Sequence, residues 1–299
     1  MPSVSSLEEA ARILAQAHVD ERKLRIGGDL TTEGLDRILE HEAGDLTCTV
    51  EAGVRLSTLN AAVRGSGQRL SLDPPGDPTI GALLAQNLSG PLRHRFGAPR
   101  DLVLGVTVVL ADGTIASAGG KVVKNVAGYD LARLVCGSRG QLALIGRASL
   151  RLHPLPQATQ TLVVETDDAA AVVRLVLGSQ LQPSALDVLH PGRVAFLFEG
   201  SERAVEAQVA TARGLVGGSA IGPDVWEESR TRQAEARGRM RFAPGELAEA
   251  LARLREALVR PASGVAHVPD EVSDEPADAV HGLIEAIRAQ LDPRGVLAA

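Results

Sequence analysis

A series of glycines between residues 72 and 150 is the feature of this 299-residue sequence that could support ligand chemistry. Because glycine lacks a Cβ atom, its backbone can approach a ligand closely and donate N–H hydrogen bonds to it. A buried dinucleotide needs such donors for its charged diphosphate and for the polar edge of its ring. Turns are the commoner use of glycine, so the spacing alone leaves a turn-rich region and a dinucleotide site both open. The glycines that fall in loops between predicted elements are Gly81, Gly90, Gly97, Gly120, Gly128, Gly137 and Gly140.

Histidines are the other candidates for chemistry, since an imidazole can act as a general base. No two of them have a metal-ligand spacing such as HxxxH, so we predict no metal site. His190 and His267 fall on predicted strands and could meet in one pocket, while His94 flanks the glycine-rich region. A lone histidine is more often structural, so no catalytic base is assigned. The seven histidines of the sequence are His18, His41, His94, His153, His190, His267 and His281.

Composition narrows the class of protein. Hydrophobic residues make up 44% and charged residues 23%, which is typical of a globular chain. The net charge of −6 argues against a nucleic-acid partner. The longest apolar run, at 102–110, is too short to span a bilayer, and no secretory leader is evident. Cys48 and Cys136 are too few for a four-thiolate iron–sulfur cluster and indicate a reducing cytoplasm.

The elements that must position these residues follow from capping and periodicity. In the first half, Ser6 can cap an amphipathic helix at 5–18, and Thr79 can cap a second helix at 80–87. An Ala-Asp-Gly turn predicts a hairpin between strands 102–110 and 114–117. The segments 23–26, 46–50 and 142–152 predict strands, and 54–67 and 130–136 predict helices. The sequence His153-Pro154-Leu155-Pro156 then interrupts the pattern, so we place a domain boundary at 156.

The second half, 157–299, has a different pattern. Strands are predicted at 161–166, 185–189, 194–198 and 264–268, and helices at 168–178, 202–216, 244–259 and 278–291. This order predicts one antiparallel sheet backed by helices. The chain as a whole is therefore predicted to be α+β, with a first domain at 1–156 and a second at 157–299.

The order of motifs in the first half resembles a known family. Between 73 and 140 the chain carries DPP, TIG, NLSGP, RFGAPRD, GGKVVKNVAGYDL and GSRG. Together these resemble the second flavin-binding subdomain of the vanillyl-alcohol oxidase (PCMH-type) FAD family, and within it the FAD-binding E subunit of glycolate oxidase. The resemblance is dense at 46–156, and LDPRGVL at 291–297 matches the closing segment of the family. It implies an FAD domain of two α+β subdomains, about 1–70 and 71–156, followed by a small antiparallel cap or partner-binding domain.

The resemblance also implies the residues of the FAD site. Lys124 or Arg95 would stabilise the reduced ring and raise its potential. Two departures affect the site: the glycine loop after Arg25 is shortened, and Ala143 stands where the family favours a glycine. The implied cofactor-binding residues are Gly27, Gly28, Pro74, Pro75, Thr79, Ile80, Gly81, Asn87, Ser89, Gly90, Arg95, Lys124, Asn125, Gly128, Tyr129, Gly137, Gly140 and Ile145.

The function that this resemblance implies is an FAD-binding subunit of a glycolate-oxidase-like 2-hydroxy acid dehydrogenase. Electrons would pass from the hydroxy acid through the flavin to a D-type flavoprotein and an iron–sulfur subunit. The expected location is the cytoplasm, with contact to the inner membrane through partners. Two alternatives stay open: a self-contained FAD-dependent oxidoreductase, and a degenerate structural subunit that binds FAD weakly.

Overall fold

Two antiparallel sheets organise the chain, and the computed structural model describes residues 2–120, 130–272 and 278–298. The first sheet has five strands in the order β1-β2-β6-β4-β5, and most of its helices pack against one apolar face. The N-terminal helix packs in a separate cluster with Val109 and Leu144. The elements of the first half are α1 Leu7–Val19, β1 Ile38–Glu42, β2 Thr47–Glu51, α2 Leu56–Arg64, β3 Gln68–Arg69, α3 Ile80–Gln86, α4 Arg93–Phe96, α5 Pro99–Leu102, β4 Val103–Val109, β5 Ile115–Gly119, α6 Leu131–Val135, β6 Leu144–Arg151 and β7 His153–Pro154.

The second sheet has seven strands in the order β11-β8-β10-β9-β13-β14-β12, all antiparallel. Helices α7, α8 and α10 cover one face, and α9 covers the other with Trp226. The elements are β8 Ala158–Glu165, α7 Ala169–Leu177, β9 Ala185–His190, β10 Arg193–Gly200, α8 Glu202–Val216, β11 Ser219–Ile221, α9 Asp224–Glu235, β12 Gly238–Arg241, α10 Leu247–Ala252, β13 Ala257–Arg260, β14 Val265–Val268 and α11 Asp278–Leu291.

Local sequence signals explain the helices and turns that frame the first sheet. The Ser6 hydroxyl accepts the N–H of Glu9 at 3.1 Å and caps α1, as predicted. In a capping box, the side chain at Glu9 would accept the N–H of the capping residue Ser6. Here the Glu9 carboxylate instead accepts the N–H and the hydroxyl of the preceding residue, Ser5, both at 2.8 Å. The predicted hairpin forms between β4 and β5, with Gly113 at a φ of +86° in its turn.

The LDPRGVL segment returns to the first half of the chain. The Asp292 carboxylate accepts the N–H groups of Val296 at 2.9 Å and Leu297 at 2.7 Å. Both apolar side chains are buried in a cluster with α1, and the Leu24 N–H donates to the Val296 carbonyl at 2.7 Å. The end of the second half therefore completes the core around α1. The boundary at 156 stays a prediction.

The sequence predictions and the structure differ at several elements. The helix predicted at 244–259 is wrong beyond Ala252, because Ala257–Arg260 forms β13 with all four residues buried inside the second sheet. Helix α9 was not predicted, since its sequence is strongly polar and only a narrow stripe with Val225, Trp226 and Ser229 is buried. The strand predicted around Leu24 forms only isolated bridges. Among the described residues no helix is long and apolar enough to cross a membrane.

Candidate functional site

A cleft of about 650 Å³ opens between the N-terminal loop and α3. This volume lies within the roughly 300–1,000 Å³ of small-molecule and cofactor sites. Helix α3 forms the floor with Ala82 and Ala85, and the loop before β6 forms a further wall with Ala143. The small side chains along the floor leave the cavity open. Five of the predicted cofactor-binding residues line it: Gly27, Thr79, Gly81, Gly140 and Ile145.

Glycine is required at two of these wall positions. The Gly81 N–H donates to the Ala52 carbonyl at 2.7 Å, and a Cβ on Gly81 would lie 3.0 Å from the Ala52 Cβ. Gly140 has a φ of +79°, and a Cβ there would lie 2.8 Å from the Ile26 Cβ. Glycine therefore lets α3 and the loop before β6 approach their neighbours and form a smooth cradle. The shape and the small side chains of this cradle fit a dinucleotide.

The glycine turn at the edge of the cleft has its backbone donors occupied. The Gly27 N–H donates to the Leu30 carbonyl at 2.8 Å, and the Gly28 N–H donates to the Arg25 carbonyl at 3.1 Å. An ion pair of 3.3 Å between Arg25 and Asp29 closes the same turn. In this structure these N–H groups are not directed to a diphosphate, although the shortened loop was expected to offer them. Gly28 is not among the residues that line the cleft.

Several predicted residues have structural positions outside the cleft. Ile80 is buried in the core beneath α3. Gly90 packs on Asp73, whose carboxylate accepts the Leu92 N–H at 2.9 Å. The Arg95 guanidinium lies over the Phe96 ring and donates to the Ser184 hydroxyl at 3.4 Å, so it joins the two halves of the chain. Pro74, Pro75 and Gly137 also lie outside the cleft wall. Lys124, Asn125, Gly128 and Tyr129 lie outside the described residues.

A second, smaller cavity of about 90 Å³ adjoins the cleft, because Gln86 and Leu88 line both. It lies where the NLSGP segment meets α9 and the second sheet, and the predicted residues Asn87 and Ser89 line it. We call it the anion pocket because four of its side chains are basic. Those four are Arg93, Arg239, Arg260 and His267.

Arg260 is the most constrained cation of the anion pocket. It is 5% exposed, and its Nε lies 3.4 Å from the carboxylate of the fully buried Asp187. The Ser229 hydroxyl donates to the same carboxylate at 2.5 Å. Arg260 also donates to the Gln233 side-chain oxygen at 2.7 Å, and the Gln233 amide donates to the Ser89 carbonyl at 2.9 Å. The network thereby fixes the guanidinium against the backbone of the NLSGP segment.

Burial and mutual repulsion shape the protonation of this pocket. Burial, and after it the charges of Arg260, Arg239 and Arg93, together lower the pKa of His267 to about 3. Burial is also the main reason that the pKa of Arg93 lies below its ordinary value, with the charge of Arg260 second. His267 is therefore neutral near pH 7, while the arginines stay charged. A small anion would relieve the repulsion among them.

The two strand histidines do not meet. On β13, Ala257 pairs with His190 and Leu258 pairs with His267, so the two side chains lie on opposite faces of the sheet. His190 instead lines a cavity of about 320 Å³ near α7. His94 is largely buried, and burial lowers its pKa. Within the described ranges, no group of three histidine, cysteine or acidic side chains is placed to hold a metal ion.

Sequence reasoning missed most of the anion pocket. Arg260 lies on β13, which was predicted to be helical, and Gln233 lies on the unpredicted α9. Arg93 precedes His94 in the RHRF segment but was not named as a site residue. One signal was available: the LVR run at 258–260 ends in a single arginine immediately before Pro261. An arginine within an apolar strand is seldom buried unless a partner holds it.

Comparisons with known proteins agree with this geometry. The FAD binding domain family matches residues 27–119. Glycolate oxidase subunit GlcE of Escherichia coli is 34% identical over 221 residues, which cover 71% of this chain and 62% of that protein. Glycolate oxidase subunit GlcD of Bacillus subtilis is 36% identical over 176 residues, which cover 54% of this chain and 37% of that protein. The chain thus spans less than two thirds of either relative.

A solved structure supports the fold over nearly the whole chain. Alkyldihydroxyacetonephosphate synthase superposes with a TM-score of 0.73 at 15% identity, covering 99% of this chain and 74% of that one. At this identity the likeness establishes the architecture alone. It agrees with the predicted α+β arrangement of an FAD domain followed by an antiparallel domain. The chain therefore carries a PCMH-type FAD-binding domain at residues 27–119, and FAD is its cofactor.

Proposed function

We propose that this chain is the FAD-binding subunit of a glycolate-oxidase-like 2-hydroxy acid dehydrogenase. The cleft would hold FAD, and the anion pocket would hold the carboxylate of the acid. The observation that carries this proposal is the junction of the two cavities at Gln86 and Leu88. A carboxylate held by the arginines would keep the rest of a small acid at this junction, next to the cofactor.

The cofactor-holding residues belong to this proposal. Thr79, Gly81, Gly140 and Ile145 shape the cradle, and Gly27 forms its outer edge. Asn87 and Ser89 lie where the cleft meets the anion pocket. When bound, FAD supplies a two-electron acceptor for oxidation of the hydroxyl-bearing carbon. The protein's contribution is to exclude water and to orient the acid against that acceptor.

The anion pocket fits a small acid. Arg93 offers a guanidinium fork, which matches the geometry of a carboxylate. Arg260 adds a fixed positive charge, although its nitrogens already contact Asp187, Gln233 and Ser89. A volume of about 90 Å³ accommodates a short chain rather than a bulky side group. The neutral His267 imidazole can accept a hydrogen bond from the substrate hydroxyl, and the approach of the carboxylate would raise its basicity. Glycolate and lactate are therefore the substrate class that we propose.

Partners complete the proposed electron path. The chain has only two cysteines, and both Cys48 and Cys136 are free thiols, with burial raising the pKa of each to about 12. A cluster that needs four thiolates would therefore belong to another subunit. The similarity to glycolate oxidase subunits supports a D-type flavoprotein and an iron–sulfur subunit as partners. We propose the cytoplasm as the location, with the inner membrane reached through these partners.

One observation favours a second candidate function. The occupied N–H groups of Gly27 and Gly28 weaken the backbone cradle, as expected for a structural subunit that binds FAD weakly. A third arrangement, a self-contained oxidoreductase, requires the acid to be oxidised by this chain without a partner.

Spectroscopy and substrate titration distinguish these functions. The purified chain is expected to show a flavin absorbance spectrum, which anaerobic glycolate or D-lactate bleaches and ethylene glycol leaves unchanged.

A substitution tests the anion pocket. Arg93→Gln should raise the concentration of acid needed to reduce half of the flavin by about tenfold, the effect of one charged hydrogen bond. Arg100→Gln, at an exposed neighbouring arginine, is the matched control. Absence of flavin would favour the structural subunit, and a bound flavin that no acid reduces would contradict the proposed pocket. Turnover with a dye by the chain alone would favour the self-contained enzyme.

A further inference from the structure

We infer that side-chain guanidinium groups, those of Arg55 and Arg139, hold the diphosphate of FAD in place of the backbone N–H groups of Gly27 and Gly28. This inference rests on the proposed binding of FAD in the cleft. Both arginines line that cleft, and neither was identified from the sequence.

The two arginines approach the cleft from opposite ends of α3. Arg55 pairs with Thr79, the residue that caps the start of this helix. The Arg139 N–H donates to the Ala85 carbonyl at 2.8 Å, near the end of the helix. Helix α3 is seven residues long, so it rises roughly 10 Å between these points. Long side chains from both ends can therefore converge on a ligand that lies along the helix.

Arg55 has donors left for an anion. Its Nη1 donates to the Asp77 carbonyl at 2.9 Å, which anchors one side of the guanidinium. Its Nη2 lies 3.7 Å from the Glu33 carboxylate, an ion pair too long for a hydrogen bond. Both side chains of this pair are more than half exposed. A guanidinium has five N–H donors, so Arg55 can keep its anchor and still bind a phosphate oxygen.

Arg139 has no side-chain partner in the part of the chain that the structure describes, yet its backbone is strained. Its φ is +53°, in the left-handed region that few residues other than glycine adopt. Such strain is found preferentially at ligand sites, because the surrounding structure must enforce it. Here the Arg139 N–H donates to the Ala85 carbonyl, and the residue lies at the wall of the cleft. The exposed guanidinium is thus placed for a ligand in the cleft.

Charge balance supports the assignment. The diphosphate of FAD carries two negative charges, and the charged residues that line the cleft are two arginines and Glu33, which leaves the cleft net positive. Guanidinium groups bind phosphate oxygens in a bidentate manner, which adds direction as well as attraction. In contrast, the donors of the Gly27 turn are already bonded to Leu30 and Arg25. The chain therefore compensates for its shortened glycine loop with side-chain charge.

The test compares flavins with and without phosphate. Binding of FAD and of riboflavin is measured by fluorescence for the wild-type chain and for Arg55→Gln, Arg139→Gln and the double variant. Each single variant should weaken FAD binding by about tenfold, because a charged hydrogen bond is lost. Riboflavin, which lacks phosphate, should bind all proteins alike. Arg64→Gln, at an exposed position of α2 outside the cleft, controls for net charge and should bind FAD like the wild type.

Two results would overturn the inference alone: equal affinity for FAD in the wild type and the double variant, or a parallel loss of riboflavin binding. A wild-type chain that binds neither flavin would overturn the proposed function as well. Thermal melts of each variant show whether it is folded. The ionic-strength dependence of FAD affinity gives an independent readout, and it should be weaker in the double variant than in the wild type.

Discussion

At the residue scale, the anion pocket is defined by a cation that the protein cannot easily rearrange. Arg260 is bound to Asp187, Gln233 and the backbone of Ser89, and each of these partners is itself hydrogen-bonded or buried. Fixed charges of this kind attract an anion without reorganising when it arrives. Burial, together with these charges, holds His267 in its neutral form, which leads to a prediction about pH.

The first prediction concerns the pH dependence of stability. The folded pKa of His267, about 3, lies below the ordinary value of 6.5, so the neutral ring stabilises the fold above pH 6.5. This contribution is lost as the pH falls from about 6.5 toward 3. His267→Gln should therefore show a smaller loss of unfolding free energy between pH 6.5 and pH 4 than the wild type, as measured by urea denaturation. His18→Gln is the control, and parallel profiles for the wild type and His267→Gln would refute the prediction.

The second prediction concerns a close backbone approach in the NLSGP segment. A Cβ on Gly90 would lie 1.8 Å from the Asp73 carbonyl oxygen, so two backbone segments would have to separate. Gly90→Ala should lower the free energy of unfolding by about 3 kcal/mol or more. Gly65→Ala is a matched control, since its φ is −60° and nothing lies within 4 Å of the new Cβ. Equal stability of the two variants in denaturant titrations would contradict the packing described for Gly90.

At the scale of elements, α3 and the segment that follows it connect the two cavities. The helix forms the floor of the cleft, Gln86 at its last turn lines both cavities, and the chain then enters the anion pocket at Asn87. Asn87 ends the helix with a φ of +48°, and its side-chain oxygen accepts the Arg100 N–H at 3.1 Å. The start and the end of this single helix therefore set the relative positions of the two sites.

The third prediction tests the start of α3. The Thr79 hydroxyl accepts the Ala82 N–H at 3.2 Å, and Thr79→Ala should cost about 1 kcal/mol of stability because this N–H loses its acceptor. Thr79→Ser keeps the hydroxyl and should retain most of the stability that the cap contributes. Chemical denaturation measures both, and amide exchange at Ala82 localises the effect. If the alanine and serine variants were equally stable, the cap would contribute nothing.

At the scale of the whole molecule, polar contacts tie the second sheet to the FAD domain. The Arg69 guanidinium of β3 donates to both carboxylate oxygens of Glu199 on β10, at 2.9 and 2.7 Å. The two side chains are only 17% and 6% exposed. Arg95 and Gln233 make further contacts across the same boundary. Because the anion pocket contains residues of both halves, these contacts also keep the pocket assembled.

The fourth prediction is a double-mutant cycle on that ion pair. Removing one partner leaves a poorly solvated charge, so Arg69→Met and Glu199→Gln should each cost about 3–5 kcal/mol. The double variant should lose much less than the sum of the two. Unfolding free energies from guanidinium titrations measure the cycle, and strictly additive losses would show that the pair does not couple the halves.

Local physics allowed the sequence by itself to determine much of this protein. Caps at Ser6 and Thr79, apolar periodicity and the Asp112-Gly113 turn depend on neighbours along the chain, so the corresponding helices and hairpin were predictable. The order of the motifs likewise made it possible to predict FAD as the cofactor. Three of the cradle residues, Thr79, Gly81 and Gly140, could be named because they belong to those motifs.

Only the tertiary structure decided where the anion pocket lies and which hydrogen-bond donors of the cleft remain available to a ligand. Arg93 and Arg260 are separated by more than half of the chain, and only the packing of one sheet region against the other brings them together. Burial within the second sheet made a strand of Ala257–Arg260, where local periodicity predicted a helix. The Gly27 turn closed on itself because its N–H groups found nearer carbonyls. Long-range contacts and competition for hydrogen-bond partners leave no local pattern, and for that reason they were not evident in the sequence.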